Sequence, residues 1–120
     1  MVNFLSKISV NDVPLDDAYA SLAANIVPVA SSTYTLQLTD SGKIIEFTDA
    51  GAVTISCPTG LPVGFQCILV NIGGGDKTIE ASGGASIYTK DSKVIISGAY
   101  NAATVYYRAI NEWVGFGNLS

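Results

Sequence analysis

Residues 73–78, Gly73-Gly74-Gly75-Asp76-Lys77-Thr78, set a glycine run close before a lysine and a threonine, the residue types that cradle phosphate. A phosphate loop needs four residues between its first glycine and a Gly-Lys-Thr that opens a helix. That spacing is missing, and the segment lies between two runs with strand character, so it reads as a hairpin turn. Asp40, Asp49, Asp76 and Asp91 also sit among turn residues. Calcium takes carboxylate and carbonyl oxygens, but no Asp-x-Asp-x-Asp-Gly loop is present. Aspartate favours turns because its side chain bonds the local backbone, and that is the reading adopted. A glycosidase would need two carboxylates at a fixed separation across a cleft. Glu46, Glu80 and Glu112 are available, yet nothing in their placement marks a pair.

The chain contains no histidine. The commonest general base and metal ligand is therefore missing, and neither a Ser-His-Asp nor a Cys-His arrangement can be built. Cys57 and Cys67 are the two cysteines. Two thiols plus carboxylates are not a usual structural zinc set. Spacing alone allows a disulfide between them; two buried thiols packing as small apolar groups in a reducing cytoplasm is the simpler reading. No cofactor, no metal and no enzymatic activity are expected.

The elements that carry these residues are shaped by an unusual composition. Of 120 residues, 48% are apolar and only 13% charged, about half the usual charged share. One domain with one core fits this length. So little charge leaves two options: uncharged polar loops, or a surface buried in an assembly. The net charge is −4, and Lys7, Lys43, Lys77, Lys90, Lys93 and Arg108 are scattered singly. No basic stripe exists to neutralise phosphates and no polybasic patch to hold a membrane, so neither nucleic acid nor membrane is an expected partner. No apolar run reaches the ~20 residues of a membrane span, and no signal-peptide pattern opens the sequence.

Residues 34–120 read as short strands between turns. Tyr34–Leu38 alternates, Asp40-Ser41-Gly42 turns, Lys43–Phe47 follows, and Asp49-Ala50-Gly51 turns again. Val53, Ile55 and Cys57 alternate with Thr54 and Ser56. Phe65–Ile72 is apolar on both faces, as expected of a central strand covered on two sides. Further strands are expected near Lys77–Ala81, Ser86–Tyr88, Val94–Ser97, Thr104–Ile110 and Trp113–Phe116. About nine strands in so short a chain point to an all-β fold, an antiparallel β-sandwich or a jelly-roll-like barrel, which limits exposed edges. On the 104–110 strand Tyr106 and Tyr107 face opposite ways, so one of them points outward. With Tyr88, Tyr100, Trp113 and Phe116 they make the C-terminal half rich in aromatics, the residues that anchor protein interfaces or stack on sugars.

Residues 1–33 form an N-terminal arm of different character. Leu15, Ala18, Tyr19, Leu22, Ala23 and Ile26 recur at helical spacing, after Pro14 and with Asp16 and Asp17 in the first turn. Pro28 would end such a helix. The alternative is an irregular Ala-rich segment; either way the stripe needs a surface to pack on.

The order of motifs carries a resemblance. Tyr34–Leu38, Asp40-Ser41-Gly42-Lys43, Phe47 and Val53-Thr54-Ile55 lead into Pro58. Pro62-Val63-Gly64-Phe65, Val70-Asn71-Ile72-Gly73-Gly74, Asn111-Glu112-Trp113 and Gly115-Phe116-Gly117 follow. This series resembles a small β-rich domain of tailed-bacteriophage virion proteins, found in capsid decoration (cement) proteins and in tail fibres. It covers residues 34–120, and its motifs are short and turn-like.

The resemblance implies a β-sandwich-like domain without catalytic residues, often a homotrimer on the virus particle. The long shafts usual in tail fibres are missing, which favours a stand-alone decoration protein. The expected function is therefore that of a capsid decoration protein, made in the host bacterial cytoplasm and located on the virion. It would bind the major capsid protein and bridge capsid subunits through interfaces of roughly 2,000–5,000 Å². The alternatives are a tail-associated receptor- or carbohydrate-binding module and a tail adaptor. The residues expected to grip the capsid or a neighbouring subunit are Val2, Phe4, Ile8, Val10, Leu15, Tyr19 and Leu22 of the arm, with Tyr106 on the domain.

Overall fold

The computed structural model describes residues 25–120. They form ten strands: β1 (Ile26–Val29), β2 (Thr33–Thr35), β3 (Ile44–Phe47), β4 (Val53–Cys57), β5 (Gln66–Asn71), β6 (Lys77–Ala81), β7 (Ser86–Tyr88), β8 (Ile95–Ile96), β9 (Asn101–Ala109) and β10 (Glu112–Gly117). Single 3-10 turns at Leu38–Asp40 and Lys90–Ser92 are the remaining regular elements among the described residues. The fold is all-β, as expected.

The arrangement differs from the expected antiparallel sandwich or jelly roll. Odd and even strands alternate between two sheets: β1, β3 and β5 lie side by side in a six-stranded sheet, and β2, β4 and β6 in a four-stranded one. All four pairings within these two sets are parallel. Each odd–even pair is thus one coil, and three coils stack as in a solenoid. The physical reason lies in the connections. The loops after β1, β3 and β5 carry the chain across to the other sheet rather than folding it back on its neighbour. The segment Gly73–Asp76 is accordingly a crossing between sheets, not a hairpin.

The last strands close the stack. β9 runs antiparallel to β5, β10 antiparallel to β9, and β7 parallel to β10, giving the order β1-β3-β5-β9-β10-β7. The β9–β10 hairpin is wedged between β5 and β7. In the smaller sheet β8 pairs antiparallel with β6.

Alternation places the core between the sheets. Ile45, Phe47, Cys67, Leu69, Val105, Tyr107 and Trp113 from the larger sheet pack in one cluster with Val53, Ile55, Cys57, Ile79 and Ile96 from the smaller. Phe65 and Tyr107 flank Trp113, with ring centroids 5.5 and 5.0 Å away. Tyr107 therefore points in and Tyr106 out.

Two crossings lie backbone on backbone. A Cβ on Gly73 would fall 1.9 Å from the carbonyl oxygen of Asp49, and one on Gly75 would fall 2.5 Å from the carbonyl carbon of Gly51. Only glycine fits at these positions. The fully buried Lys77 bonds the crossing together, its ammonium donating to the carbonyl oxygens of Asp49 and Gly51 at 2.7 Å each. The buried Asn71 amide donates to the carbonyls of Gly75 and Ile96, and its oxygen accepts from the Gly74 N–H. Buried polar groups must be paired, and these two side chains satisfy the loop carbonyls that the crossings turn inward.

β1 lies within the segment read as an arm, so the sheet begins before the expected boundary at 33/34. Ile26, the last member of the helical stripe, is a strand residue. Pro28 sits in the same strand rather than ending a helix. The carbonyls of Asn25 and Val29 accept from the N–H groups of Ile44 and Thr48, so alternation points the backbone of Ile26 and Pro28 away from β3, at the outer edge of the described sheet.

Candidate protein-binding surface

The strand register builds the outer face of the six-stranded sheet into rows. One row runs Ile26, Ile44, Ile68, Thr104, Phe116 across β1, β3, β5, β9 and β10. The next runs Gln66, Tyr106, Val114, Tyr88 across β5, β9, β10 and β7. On the other side lie Pro28, Glu46, Val70 and Ala102. Ile26, Ile68, Tyr88 and Phe116 are exposed by 46%, 41%, 55% and 54%, and Ile44, Val70, Tyr106 and Val114 are half-buried. Tyr106 and Phe116 meet edge to face at 6.3 Å. Glu46 interrupts the apolar rows, and the exposed Arg108–Glu112 pair, at 3.3 Å, borders them. Scattered apolar side chains are ordinary on a surface; contiguous ones in rows make this face the candidate binding surface.

The four-stranded sheet presents a different outer face. Thr33, Thr54 and Thr78 form one row with Ile95, and Thr35, Ser56 and Glu80 the next. Hydroxyl side chains predominate on this side, with Glu80 the one charge in these rows, so the low charge content is resolved unevenly: hydroxyls on one sheet, apolar side chains on the other.

β5 was expected to be covered on both faces. Its inner face is covered, but Ile68 and Gln66 are open to solvent. Apolar residues on both faces of β5 were the pointer to this surface. Ile44 and Ile68 went unrecognised because alternation alone does not distinguish a second core from a docking face.

Tyr106 lies in the middle of the patch. The other expected contact residues, Val2, Phe4, Ile8, Val10, Leu15, Tyr19 and Leu22, lie outside the described residues, as does the expected helix apart from Ile26.

The candidate chemical groups are dispersed. Glu46 on β3 and Glu112 on β10 stand three strands apart and at opposite ends of the strands, and Glu80 is on the other sheet. Asp49 forms a turn, its carboxylate accepting the Gly51 N–H at 2.9 Å. The buried carboxylate of Asp40 faces the Tyr34 hydroxyl at 2.9–3.0 Å and accepts the Gln37 N–H, closing the turn between β2 and β3. Burial raises the Tyr34 phenol above its usual range; Gln37 lowers it and Asp40 raises it further.

Cys57 and Cys67 are free and buried. They lie on opposite sheets and both point into the core. Burial raises the Cys57 thiol, with a contribution from Cys67, and pushes Cys67 up to about 12, with a contribution from Asp40. Among the described residues no group of three or more Cys, Asp or Glu side chains is placed to hold a metal ion. No described helix is long and apolar enough to cross a membrane. No protein-family model matches this chain, and no curated protein matches it in sequence.

Proposed function

We propose that this chain is a bacteriophage capsid decoration protein, a homo-oligomeric virion component. In this reading it binds the major capsid protein on the outer shell and stabilises the shell by bridging subunits. The observation that supports the reading is the apolar outer face of the six-stranded sheet, a surface suited to protein rather than water. It is carried on a body whose crossings are locked by Lys77 and Asn71, so load on the face passes into a bonded frame rather than a pliant loop. Binding of this kind needs no catalytic group, only area and stiffness. The resemblance of residues 34–120 to virion domains supplies the particle, and the trimeric state rests on that resemblance.

The test is copy number per particle, by quantitative mass spectrometry of purified virions against the major capsid protein. A number comparable to the capsid protein, or a simple fraction of it set by the lattice, supports decoration. A number far below it, matching tail symmetry, overturns it.

A tail-associated receptor- or carbohydrate-binding module is the second reading. It is favoured by Tyr88, Tyr100 and Phe116, exposed aromatic rings of the type that stack on sugars. Binding to a host-glycan array, lost on Tyr88→Ala or Tyr100→Ala, would support it.

A further inference from the structure

We propose that the apolar outer face of the six-stranded sheet is covered, in the free chain, by that chain's own residues 1–24. The inference goes beyond the decoration reading and does not rest on it.

The point where the chain enters the sheet is the first argument. β1 is an edge strand, and Ile26 opens it. The register sets Ile26 level with Ile44 and Ile68, in the first apolar row. The described chain begins one residue earlier, at Asn25, whose carbonyl accepts the Ile44 N–H. One residue back along each strand, Asn25 is level with Cys67, between the Ile68 row and the Gln66 row. Residues 1–24 therefore join the body at a corner of the apolar face itself, not on the hydroxyl-rich sheet.

The sequence of the segment is the second. Ile26 belongs both to the apolar row and to the stripe of Leu15, Tyr19 and Leu22. The stripe needs a surface, and its last residue already lies on one. Ile68, Tyr88 and Phe116 on that surface are about half exposed, so stripe and face are two apolar surfaces that water disfavours, joined by a single residue. The relief of the face fits the same occupant. A depression of about 160 Å³, lined by Gly42, Lys43, Gln66 and Ile68, lies at the starts of β3 and β5, the two strands next to β1. Leu22 is the large side chain of the stripe closest in sequence to this entry point. The segment carries Asp12, Asp16 and Asp17 against Lys7, a negative balance that Lys43 at the rim of the depression complements.

Reach and mass action decide between this occupant and a separate molecule. From β1 to β7 the face spans five strand spacings, about 24 Å. About sixteen residues cover that distance even at the ~1.5 Å rise of a helix, fewer than the segment holds. Tethering gives such a segment an effective concentration on the order of 1 mM. A separate partner of equal affinity would have to reach that concentration to compete. For a decoration protein the consequence is mutual masking: the segment and the face, both expected to meet a shell, cover each other until one is offered.

Thiol reactivity of the full chain, purified and free of capsids, tests the proposal. Ile68→Cys puts a thiol on the face, while Cys57 and Cys67 stay buried and slow. Adding Tyr19→Asp/Leu22→Asp should speed its reaction with a charged thiol reagent at least about tenfold, the ratio of covered to open molecules. The slow rate before that change should not depend on protein concentration. Thr33→Cys, exposed on the opposite sheet, should react at one rate with either stripe. Circular dichroism checks each fold, and Phe116→Cys is the second face variant, should Ile68→Cys not fold. An Ile68→Cys thiol that reacts equally fast with and without the stripe overturns the proposal and leaves the face open to the capsid protein. Protection that grows with protein concentration also overturns it, since the cover then comes from another molecule. Either failure leaves the decoration reading untouched, and a copy number matching the tail overturns only that reading.

Discussion

The indole N–H of Trp113 donates to the carbonyl oxygen of Pro58 at 2.9 Å, joining residues 55 positions apart. Trp113 belongs to the hairpin that closes the larger sheet, and Pro58 opens the loop from β4 to β5. One hydrogen bond therefore couples the antiparallel closure to the parallel coils. Trp113→Phe should leave the Pro58 carbonyl without its buried donor and cost about 1–3 kcal/mol, before any loss of packing against Phe65 and Tyr107. Urea unfolding of both proteins measures the difference.

Lys77→Met keeps the side-chain stem and deletes the ammonium. Two loop carbonyls then lose a charged donor. Bonds to charged groups contribute roughly 1.5–3 kcal/mol each, so the variant should be among the most destabilised single substitutions in the chain. A midpoint unchanged in urea would show that water replaces the lysine at both carbonyls.

The glycine run should divide by position. Gly73→Ala and Gly75→Ala drive a methyl group into the backbone of the preceding crossing, and overpacking against rigid backbone should cost about 3 kcal/mol or more. Gly74→Ala meets nothing within 4 Å and suffers only from a φ of +106°. It should be the mildest of the three, at about 1–2 kcal/mol. Thermal unfolding of the three variants gives the order.

Stability should fall in alkaline solution because of the two thiols. Unfolded cysteine loses its proton near pH 8.5. In the folded protein Cys57 and Cys67 keep theirs, Cys67 up to about 12. Above about pH 8.5 the folded state therefore binds more protons than the unfolded one. The thiol contribution is complete below that pH and is lost as pH rises toward the folded values, by up to about 1.4 kcal/mol per pH unit for each thiol. Cys57→Ala/Cys67→Ala should flatten the pH dependence, and native wild type should react slowly with a thiol reagent at pH 8.

Truncation should separate the arm from the first coil. Removing residues 1–24 leaves every described strand and should leave a folded domain; if the arm holds the shell, that protein no longer binds capsids. Removing residues 1–29 also deletes β1 and bares β3, and should lower the unfolding midpoint. Circular dichroism and capsid co-sedimentation on both truncations distinguish these outcomes.

Most strands were legible because each alternates clearly, as Val53, Ile55 and Cys57 do against Thr54 and Ser56. Sheet membership was not. Alternation states which side chain faces inward but not which of two sheets holds it, and β4 and β5 carry the same inward signal from opposite sides. The coil repeat was hidden by its irregularity: Ile44 pairs with Ile68 and Thr54 with Thr78, both 24 residues on, whereas Ile26 pairs with Ile44 after only 18. The apolar outer face was legible in part. Tyr106 could be placed outward from its neighbour Tyr107, but the isoleucine row needs the pairing of three strands distant in sequence. Lys77 had a readable signal, since it shares parity with the inward Ile79; a single lysine at a strand start is ordinarily taken as solvated.

Pro28 bears on how far such a stack extends. An open parallel edge invites another strand, and each strand added presents the same edge again, the arithmetic of a fibril. At the outward position of β1 proline offers no N–H, so an incoming strand loses a bond where it would begin to register. At the N-terminal edge of the described stack, β1 thus offers a pairing strand one N–H fewer than any other residue at that position would allow.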